Sequence, residues 1–261
     1  MSRVRETMPR IRWGLLVILF SLFALSPLLR PGYFWSAHDS RHSVYFLFEF
    51  DRAIQDGVWW PRWAPDFAFG YGYPFFNIYG PLSTYLSEFV HLLGMDFVNA
   101  VKTVFGLSVV LSGLSMYGFV RRLVGPAAGF VAAIVYVYAP YHLFDLFVRA
   151  ALAESVGLIF LPLCLWGFYE VMARPGPRAI LFAGLAYAGL MLTSNLMALL
   201  FTPLLGLYVA LLGVGRLHDQ RRGSEVGDRG SVPAPQPPTQ SLQHAPRQTI
   251  IAASWNWGPY P

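Results

Sequence analysis

Long apolar segments separated by short polar connections dominate the chain up to about residue 215. One uncharged segment lies near the N-terminus, and five more follow a long mixed loop. Their lengths suit helices that cross a bilayer, which need about 17 to 25 residues. The pattern predicts an all-α integral membrane protein with about six transmembrane helices, at 13–29, 99–120, 126–145, 151–171, 178–195 and 197–215.

The first apolar segment, residues 13–29, has two interpretations. A cleaved signal peptide would end in a site of small residues resembling Ala-x-Ala. The segment instead ends Ser-Pro-Leu-Leu-Arg-Pro, so we interpret it as an uncleaved anchor that forms the first span. The proline and glycine residues inside the later spans are tolerated in membrane helices; they are Gly113, Pro140, Pro162 and Pro203.

A long loop, residues 30–98, separates the first two spans and mixes charged with aromatic side chains. From His38 to Asp56 polar residues recur at steps of three and four, which predicts an amphipathic helix on the membrane surface or against the bundle. Residues 81–93 predict a second one. The expected polar stripe is His38, His42, Tyr45, Glu49, Arg52 and Asp56, opposite Val44, Leu47, Phe50, Ile54 and Val58.

Composition agrees with the membrane class. Hydrophobic residues make up 55% of the chain and charged residues 13%, about half the charged share of a soluble domain. In a soluble protein a net charge of +5 would suggest nucleic acid. Here the arginines lie beside apolar segments, so we expect a lipid bilayer and no nucleic acid as partner. The single cysteine rules out a disulfide within the chain.

The arginines also predict an orientation. Cytoplasmic loops of membrane proteins are enriched in Arg and Lys. This bias places the N-terminus and the C-terminal tail in the cytoplasm and the loop 30–98 outside, with the protein in the cell (plasma) membrane. The arginines on the predicted cytoplasmic side are Arg3, Arg5, Arg10, Arg12, Arg121, Arg122, Arg174, Arg178, Arg216, Arg221 and Arg222.

Three parts follow from these patterns. Residues 1–12 are a basic cytoplasmic N-terminus, and residues 13–215 are a polytopic membrane domain. Residues 216–261 are polar and rich in Pro, Gly, Ser and Gln, which predicts a disordered tail. Because the composition changes abruptly at residue 215, a frameshift or a truncated reading frame is an alternative origin for the tail.

The first candidate for chemistry opens the long loop with His38, Asp39, Arg41 and His42. Asp39 could act as a general base toward a hydroxyl acceptor, or bind a divalent metal together with histidine. The alternative is structural, since Asp is a common N-cap for a helix such as the one predicted here. Residue types alone favour the N-cap.

The second candidate consists of His142, Asp145 and Arg149, which share one face if the third span stays helical. Arginine there could hold a phosphate through its planar guanidinium group. An ion pair of Asp145 with Arg149 at the helix end is the alternative. Glu154 lies just inside the next span, where an ionisable group is costly and therefore a functional candidate. Its alternative role is to pair with Arg149.

The third candidate is the aromatic loop between Arg62 and Tyr79. Its rings, Tyr73 among them, could stack on sugars or cover a lipid chain together with Asp66 and Asn77. The alternative is anchoring at the bilayer interface, where Trp and Tyr are enriched. The sequence has no P-loop, no Rossmann glycine pattern, and neither a His-Glu-x-x-His nor a Gly-x-Ser-x-Gly motif.

In these motifs the sequence resembles the GT-C class of membrane glycosyltransferases. That class has a first span, an outer loop opening with an acidic motif, amphipathic helices and a multi-pass bundle. The resemblance covers about residues 14–215. It is most specific for large bacterial membrane proteins of the YfhO-like group or labelled 6-pyruvoyl-tetrahydropterin synthase-related. The motifs that carry it are His38-Asp39, Gly57, residues 61–65, 70–76 and 79–82, Arg149 to Glu154, and Leu192 to Asn195.

The resemblance implies transfer of a sugar from a polyprenyl-phosphate donor to an acceptor at the outer face. It implies Asp39 as catalytic base or metal contact and Glu154 as a second catalytic candidate. It leaves a divalent metal open and implies neither a pterin nor a nucleotide cofactor. The residues expected to contact substrates are His38, His42, Tyr73, Asn77, Asp145 and Arg149.

Two alternatives to an active glycosyltransferase stay open. GT-C proteins generally have more than six spans, so the chain resembles an N-terminal fragment, which by itself could be inactive. The chain could also be a non-enzymatic multi-pass protein, such as a transporter component or a lipid-binding scaffold.

Overall fold

The computed structural model describes the backbone of residues 2–229 and the side chains of residues 12–218. The chain divides into two units after Leu217, and the helical bundle belongs to the first unit. Its regular elements are helical, apart from one isolated bridge between Ala64 and Tyr73. The predicted all-α class is therefore confirmed over the described residues.

Ten α-helices follow one another in the described part of the chain. A 3-10 turn (Ser26–Leu29) follows α1, and a π-helical turn (Asp145–Arg149) follows α7. The helices are α1 (Ser2–Ala24), α2 (Ser40–Gln55), α3 (Phe75–Ile78), α4 (Leu82–Leu92), α5 (Phe97–Leu123), α6 (Pro126–Val137), α7 (Pro140–Phe144), α8 (Leu152–Ala173), α9 (Pro177–Thr193) and α10 (Asn195–Arg229).

The last helix passes the boundary that composition predicts. Residues 216–229 are helical as part of α10, whereas the sequence predicts a disordered tail from residue 216. The rest of the predicted tail, residues 230–261, lies outside the described residues.

Helix α5 is the centre of the bundle, since it packs against α1, α2, α4, α6 and α8. Small residues let its neighbours approach closely, as is typical of helix packing in membranes. A Cβ at Gly113 would lie 2.9 Å from the Val137 side chain of α6, and one at Gly118 would lie 2.6 Å from the Trp166 ring of α8. The side chain of Asp96 caps the start of α5 by accepting from the Asn99 amide at 3.0 Å.

Three described helices are long and apolar enough to cross a bilayer, namely Phe97–Leu123, Leu152–Ala173 and Asn195–His218. The bent pair Pro126–Val137 and Pro140–Arg149 makes a fourth if it counts as one span. Two shorter apolar helices, Arg12–Ala24 and Pro177–Thr193, occupy the positions of the predicted first and fifth spans. Each predicted span thus contains an apolar helix, and the number six remains a prediction.

The predicted third span, residues 126–145, consists of two helices, α6 and α7. The chain bends by 42° between α6 and α7, because Pro140 lacks an N–H and clashes with the preceding turn. Ala139 is accordingly extended, with φ −56° and ψ 134°. The ring of His142 lies 3.1 Å from the Tyr136 carbonyl, whereas Arg149 pairs with Asp145.

Both predicted amphipathic helices of the long loop are present, as α2 and α4. Leu47 and Phe50 of α2 are fully buried, in agreement with the predicted apolar side. Glu49, a member of the predicted polar stripe, is covered by the aromatic loop. Glu49 is buried and accepts from the Asp66 amide at 3.3 Å, and Arg52 pairs with the Asp66 carboxylate.

A buried pair of carboxyl groups lies between α2 and α4. Glu88 of α4 is 3% exposed, and neither of its oxygens has a hydrogen-bond partner in the described part of the protein. Asp51 of α2 is also buried, accepts from Gln55 at 2.8 Å, and lies 3.9 Å from the ring of His91. Burial first, and then the charge of Asp51, raises the pKa of Glu88 to about 7.

We expect this pair to make stability depend on pH. Glu88 ionises near 4.5 when unfolded and near 7 when folded, so the folded chain holds an extra proton between these values. Stability therefore falls as pH rises through this window and levels off above it. Thermal unfolding of the detergent-solubilised protein from pH 4.5 to 8 measures the effect.

Glu88→Gln should remove most of this pH dependence and raise the melting temperature at pH 8. Asp56→Asn, at the exposed end of α2, is the matched control and should leave the profile unchanged. A Glu88→Gln profile identical to that of the wild type would show that the carboxyl pair does not set it.

Candidate functional site

An ion-pair cluster lies where α8 begins. The Arg149 guanidinium donates to both Glu154 oxygens, at 2.6 and 2.7 Å, and to Asp145 at 3.1 Å. The Tyr141 hydroxyl donates to Glu154 at 2.8 Å, and Ser155 donates to Asp145 at 3.2 Å. Asp145 is fully buried, whereas the Arg149 side chain is 29% exposed. One guanidinium group therefore holds two carboxylates together at the rim of the bundle.

Local backbone geometry produces this cluster. The π-helical turn Asp145–Arg149 is followed by Ala150 in the left-handed region, with φ 54° and ψ 43°. This reverses the chain over a few residues, so that α8 starts with Glu154 in its first turn facing back toward Arg149. A β-branched residue at Ala150 would be strained there. The predicted pairings of Arg149 with Asp145 and with Glu154, given as the structural alternatives, are both observed.

The start of the long loop is fastened to the same turn. The amide of His38 donates to the Val148 carbonyl at 3.1 Å, and the amide of Asp39 donates to the Arg149 carbonyl at 2.7 Å. Tyr33 donates to the Ser40 carbonyl at 3.0 Å and fixes the next residue. Two candidate groups that lie more than a hundred residues apart in the sequence thus form one site.

Asp39 occupies the N-cap position of α2 but does not act as a cap. Its side chain makes no hydrogen bond to the helix amides, which a capping Asp would do. Its nearest ionisable partner is His42, with Nδ1 3.5 Å from the Asp39 carboxylate, and the Asp39 side chain is 44% exposed. The carboxylate is thus fixed through its backbone and open toward solvent.

Tyr79 is a further member of the site that was not among the residues expected to contact substrates. Its ring stacks on Phe75 at 4.9 Å and contacts Phe46 at 5.4 Å. Burial first, and then the negative charges of Asp39, Glu154 and Asp145, raises the pKa of Tyr79, so its hydroxyl remains a donor at neutral pH. The residue ends the aromatic loop in the sequence, and no spacing rule links it to Asp39.

The segment around Tyr79 is held against the break between α9 and α10. Asn195 donates to the Ile78 carbonyl at 2.8 Å. Gly80 lies so close that a Cβ would come within 2.5 Å of the Thr193 carbonyl oxygen. The segments 79–82 and 192–195, both part of the resemblance, therefore meet in space.

An open aromatic cleft of about 800 Å³ runs over α2 beside Asp39. His42 lines it and also approaches Asp39, so the cleft and the carboxylate are adjacent. Tyr73, a predicted substrate-binding residue, is in the wall of the cleft. The remaining lining residues are Val44, Tyr45, Phe46, Phe48, Glu49, Asp66, Phe67, Ala68, Phe75 and Phe97.

Two of the predicted residues are less closely tied to the site. His38 joins it through its backbone amide, while its side chain is exposed. Asn77 is exposed, and no described contact joins its side chain to the ion pairs or the cleft. Among the residues with described side chains, no three His, Cys, Asp or Glu groups lie together in a way that could hold a metal ion.

Comparison with known families matches residues 79–222 to the dolichyl-phosphate-mannose-protein mannosyltransferase family. The match spans more than half of the chain and includes Tyr79, Arg149 and Glu154. The chain belongs to this mannosyltransferase family. The family assignment confirms the predicted resemblance to GT-C membrane glycosyltransferases. Asp39 lies outside the matched residues.

A relative of the chain is an uncharacterized protein of Lactococcus lactis subsp. cremoris (strain MG1363). It is 22% identical over 203 residues, which are 76% of this chain and 33% of the relative. The chain thus spans about one third of the length of this relative. No solved structure matches the chain.

We expect Gly80→Ala to loosen the site. The added methyl group would collide with the Thr193 carbonyl and push the Tyr79 segment away from α9, at a cost of about 1 to 3 kcal/mol. Gly184→Ala is the control, because a Cβ there meets no atom within 4 Å. Thermal unfolding in detergent should show a lower melting temperature for Gly80→Ala alone; equal values for both variants would contradict the close contact.

Proposed function

We propose that this chain forms the catalytic portion of a GT-C glycosyltransferase that transfers a sugar from a polyprenyl-phosphate donor at the outer face of the membrane. The observation that carries the proposal is the attachment of the Asp39 backbone to the Arg149 carbonyl at 2.7 Å. It puts a partly exposed carboxylate that makes no capping bond beside a cluster that contains the arginine. The family supports glycosyl transfer in general; the donor, the face and the residue roles are our proposal.

Asp39 is the proposed base. Transfer to a hydroxyl requires removal of its proton as the oxygen attacks the anomeric carbon and the phosphate leaves. A carboxylate that is partly exposed and free of capping bonds can accept that proton. His42, with its ring 3.5 Å away, orients the carboxylate. The product keeps the new glycosidic bond, and the lipid phosphate departs with the bonding electrons.

Arg149 is the proposed contact for the donor phosphate. Three of its N–H groups are directed at Glu154 and Asp145, and a guanidinium has five. The partly exposed side chain can present the remaining N–H groups to a phosphate oxygen. Glu154 then acts as a positioning residue, because its two hydrogen bonds fix the plane of the guanidinium group.

The aromatic cleft is the proposed place for the acceptor. Its rings offer apolar faces on which a sugar or another hydroxyl-bearing group can stack. Glu49 and Asp66 supply oxygen atoms in its wall, and His42 connects it to Asp39. Phosphate is disfavoured there because the charged groups in the wall are acidic.

Asp39→Asn should abolish sugar transfer while the protein still folds, because the amide keeps the shape but cannot take a proton. We expect a loss of at least about a hundredfold, the lower end of the contribution of general bases. Membranes containing each variant, supplied with labelled polyprenyl-phosphate sugars, give the rate. Asp56→Asn, an exposed acid at the other end of α2, should transfer at the wild-type rate.

Undiminished transfer by Asp39→Asn would overturn the role of Asp39. Absence of transfer by the wild type with every polyprenyl sugar, in the full chain, would favour the non-enzymatic scaffold instead. The bidentate ion pair of Arg149 and Glu154 is the observation that favours a scaffold, because it also stabilises the bundle without any substrate.

Arg149→Lys should raise the KM for the lipid donor more than it lowers kcat. A lysine ammonium keeps the charge but cannot pair with Glu154 at two points and still present N–H groups to a phosphate. Steady-state transfer at varied donor concentration separates the two constants. Arg30→Lys, at an exposed arginine where the long loop begins, is the control. An unchanged donor KM in Arg149→Lys would exclude a phosphate contact.

A further inference from the structure

A second cavity lies at the opposite end of the bundle from Asp39. It measures about 690 Å³ and is formed where α8 turns into α9. At 1.5 Å per residue, the part of the chain from Trp166 to Arg174 that lines this cavity lies roughly 18 to 30 Å along α8 from Glu154 of the ion-pair cluster. The lining residues are Trp166, Glu170, Arg174, Gly176, Pro177, Arg178, Ala179 and Phe182.

The charge of this cavity is positive. Arg174 and Arg178 line it. Among the described residues, neither guanidinium group has a hydrogen bond or an ion pair within 4.0 Å, although Arg174 lies near enough to Glu170 for their charges to interact. The carboxylate of Glu170 is already neutralised, because Arg122 donates to it at 2.5 and 3.4 Å and Trp166 donates at 3.2 Å. Two guanidinium groups are therefore available to an anionic ligand.

The backbone adds to this preference. Helix α9 starts at Pro177 without a side-chain cap, and its first residues line the cavity. The free amides at the start of a helix favour phosphate groups. The other wall is apolar, with the Trp166 and Phe182 rings 5.5 Å apart, edge to face. A ligand that fits both walls has an anionic head and an apolar body.

The wider surface at this end is basic as well. Arg121 and Arg122 end α5 beside α8, and Arg216 of α10 donates to the Met172 carbonyl. Basic pockets between membrane helices on the side of the anionic leaflet bind phospholipid head groups. The exposed side chains of Ile180 and Leu181 on α9 continue the apolar surface from the cavity toward the bilayer.

From this combination we infer that the cavity between α8 and α9 is a binding site for the head group of an anionic phospholipid. The phosphodiester lies between Arg174 and Arg178, and the acyl chains lie against the Trp166 and Phe182 side. The site is independent of the glycosyl-transfer site. Its proposed ligand is a phospholipid of the bilayer and not soluble phosphate.

The test is lipid-dependent stability of the full chain in zwitterionic detergent. Phosphatidylglycerol should raise the melting temperature in a saturable way, and phosphatidylcholine should not. Each arginine near an anionic head group contributes enough that loss of both weakens binding by about tenfold or more. Arg174→Gln/Arg178→Gln should therefore need at least that much more phosphatidylglycerol for the same shift.

Matched variants distinguish the site from bulk charge. Arg41→Gln/Arg62→Gln removes two exposed arginines of the long loop and should respond to phosphatidylglycerol as the wild type does. Arg174→Lys/Arg178→Lys keeps the charge and should retain most of the response. If the glutamine variant fails to fold, the lysine variant and native mass spectrometry of the wild type replace it. In the mass spectra the wild type should retain phosphatidylglycerol in preference to phosphatidylcholine.

Two results would overturn the inference. One is a phosphatidylglycerol response that is the same in the wild type and in Arg174→Gln/Arg178→Gln. The other is a full response to inorganic phosphate alone, which would identify a site for a free anion instead of a lipid.

Discussion

A buried carboxylate must have a partner when the surroundings are apolar, and this constraint organises one end of the protein. Asp145 is fully buried and Glu154 lies within an apolar helix. An unpaired charge in such a position costs several kcal/mol. Arg149 satisfies both carboxylates, and the turn that carries it also accepts the Asp39 amide. Charge pairing thus holds the turn that carries Arg149, and that turn holds the start of the long loop.

The spacing of apolar residues and the amino-acid composition were sufficient to predict the helices. The apolar segments and the amphipathic pattern of α2 and α4 follow from spacings of three and four residues, which depend only on neighbours in the chain. The break before Pro140 is also a local property, because a residue that precedes proline is disfavoured in the helical conformation. Local rules therefore account for most of the fold.

The assembly of the site depended on contacts that local rules do not contain. Glu49 lies on the polar stripe of α2, yet it is buried because residues far along the loop cover it. Tyr79 joins Asp39 because a glycine next to it permits close approach to α9. Residue types alone favoured the N-cap for Asp39, and the structure shows no such bond. Each of these outcomes required the tertiary arrangement.

The hydrogen bond from Asn195 to the Ile78 carbonyl spans 117 residues of sequence. Ribosomes synthesise a chain from its N-terminus at roughly 5 to 20 residues per second. The loop that contains Ile78 is therefore made several seconds before Asn195 at the start of α10. During that interval the loop and its exposed rings can rest on the membrane surface without their final support. The arrangement makes completion of α9 and the start of α10 a late step in maturation, after which the outer loop takes its final position.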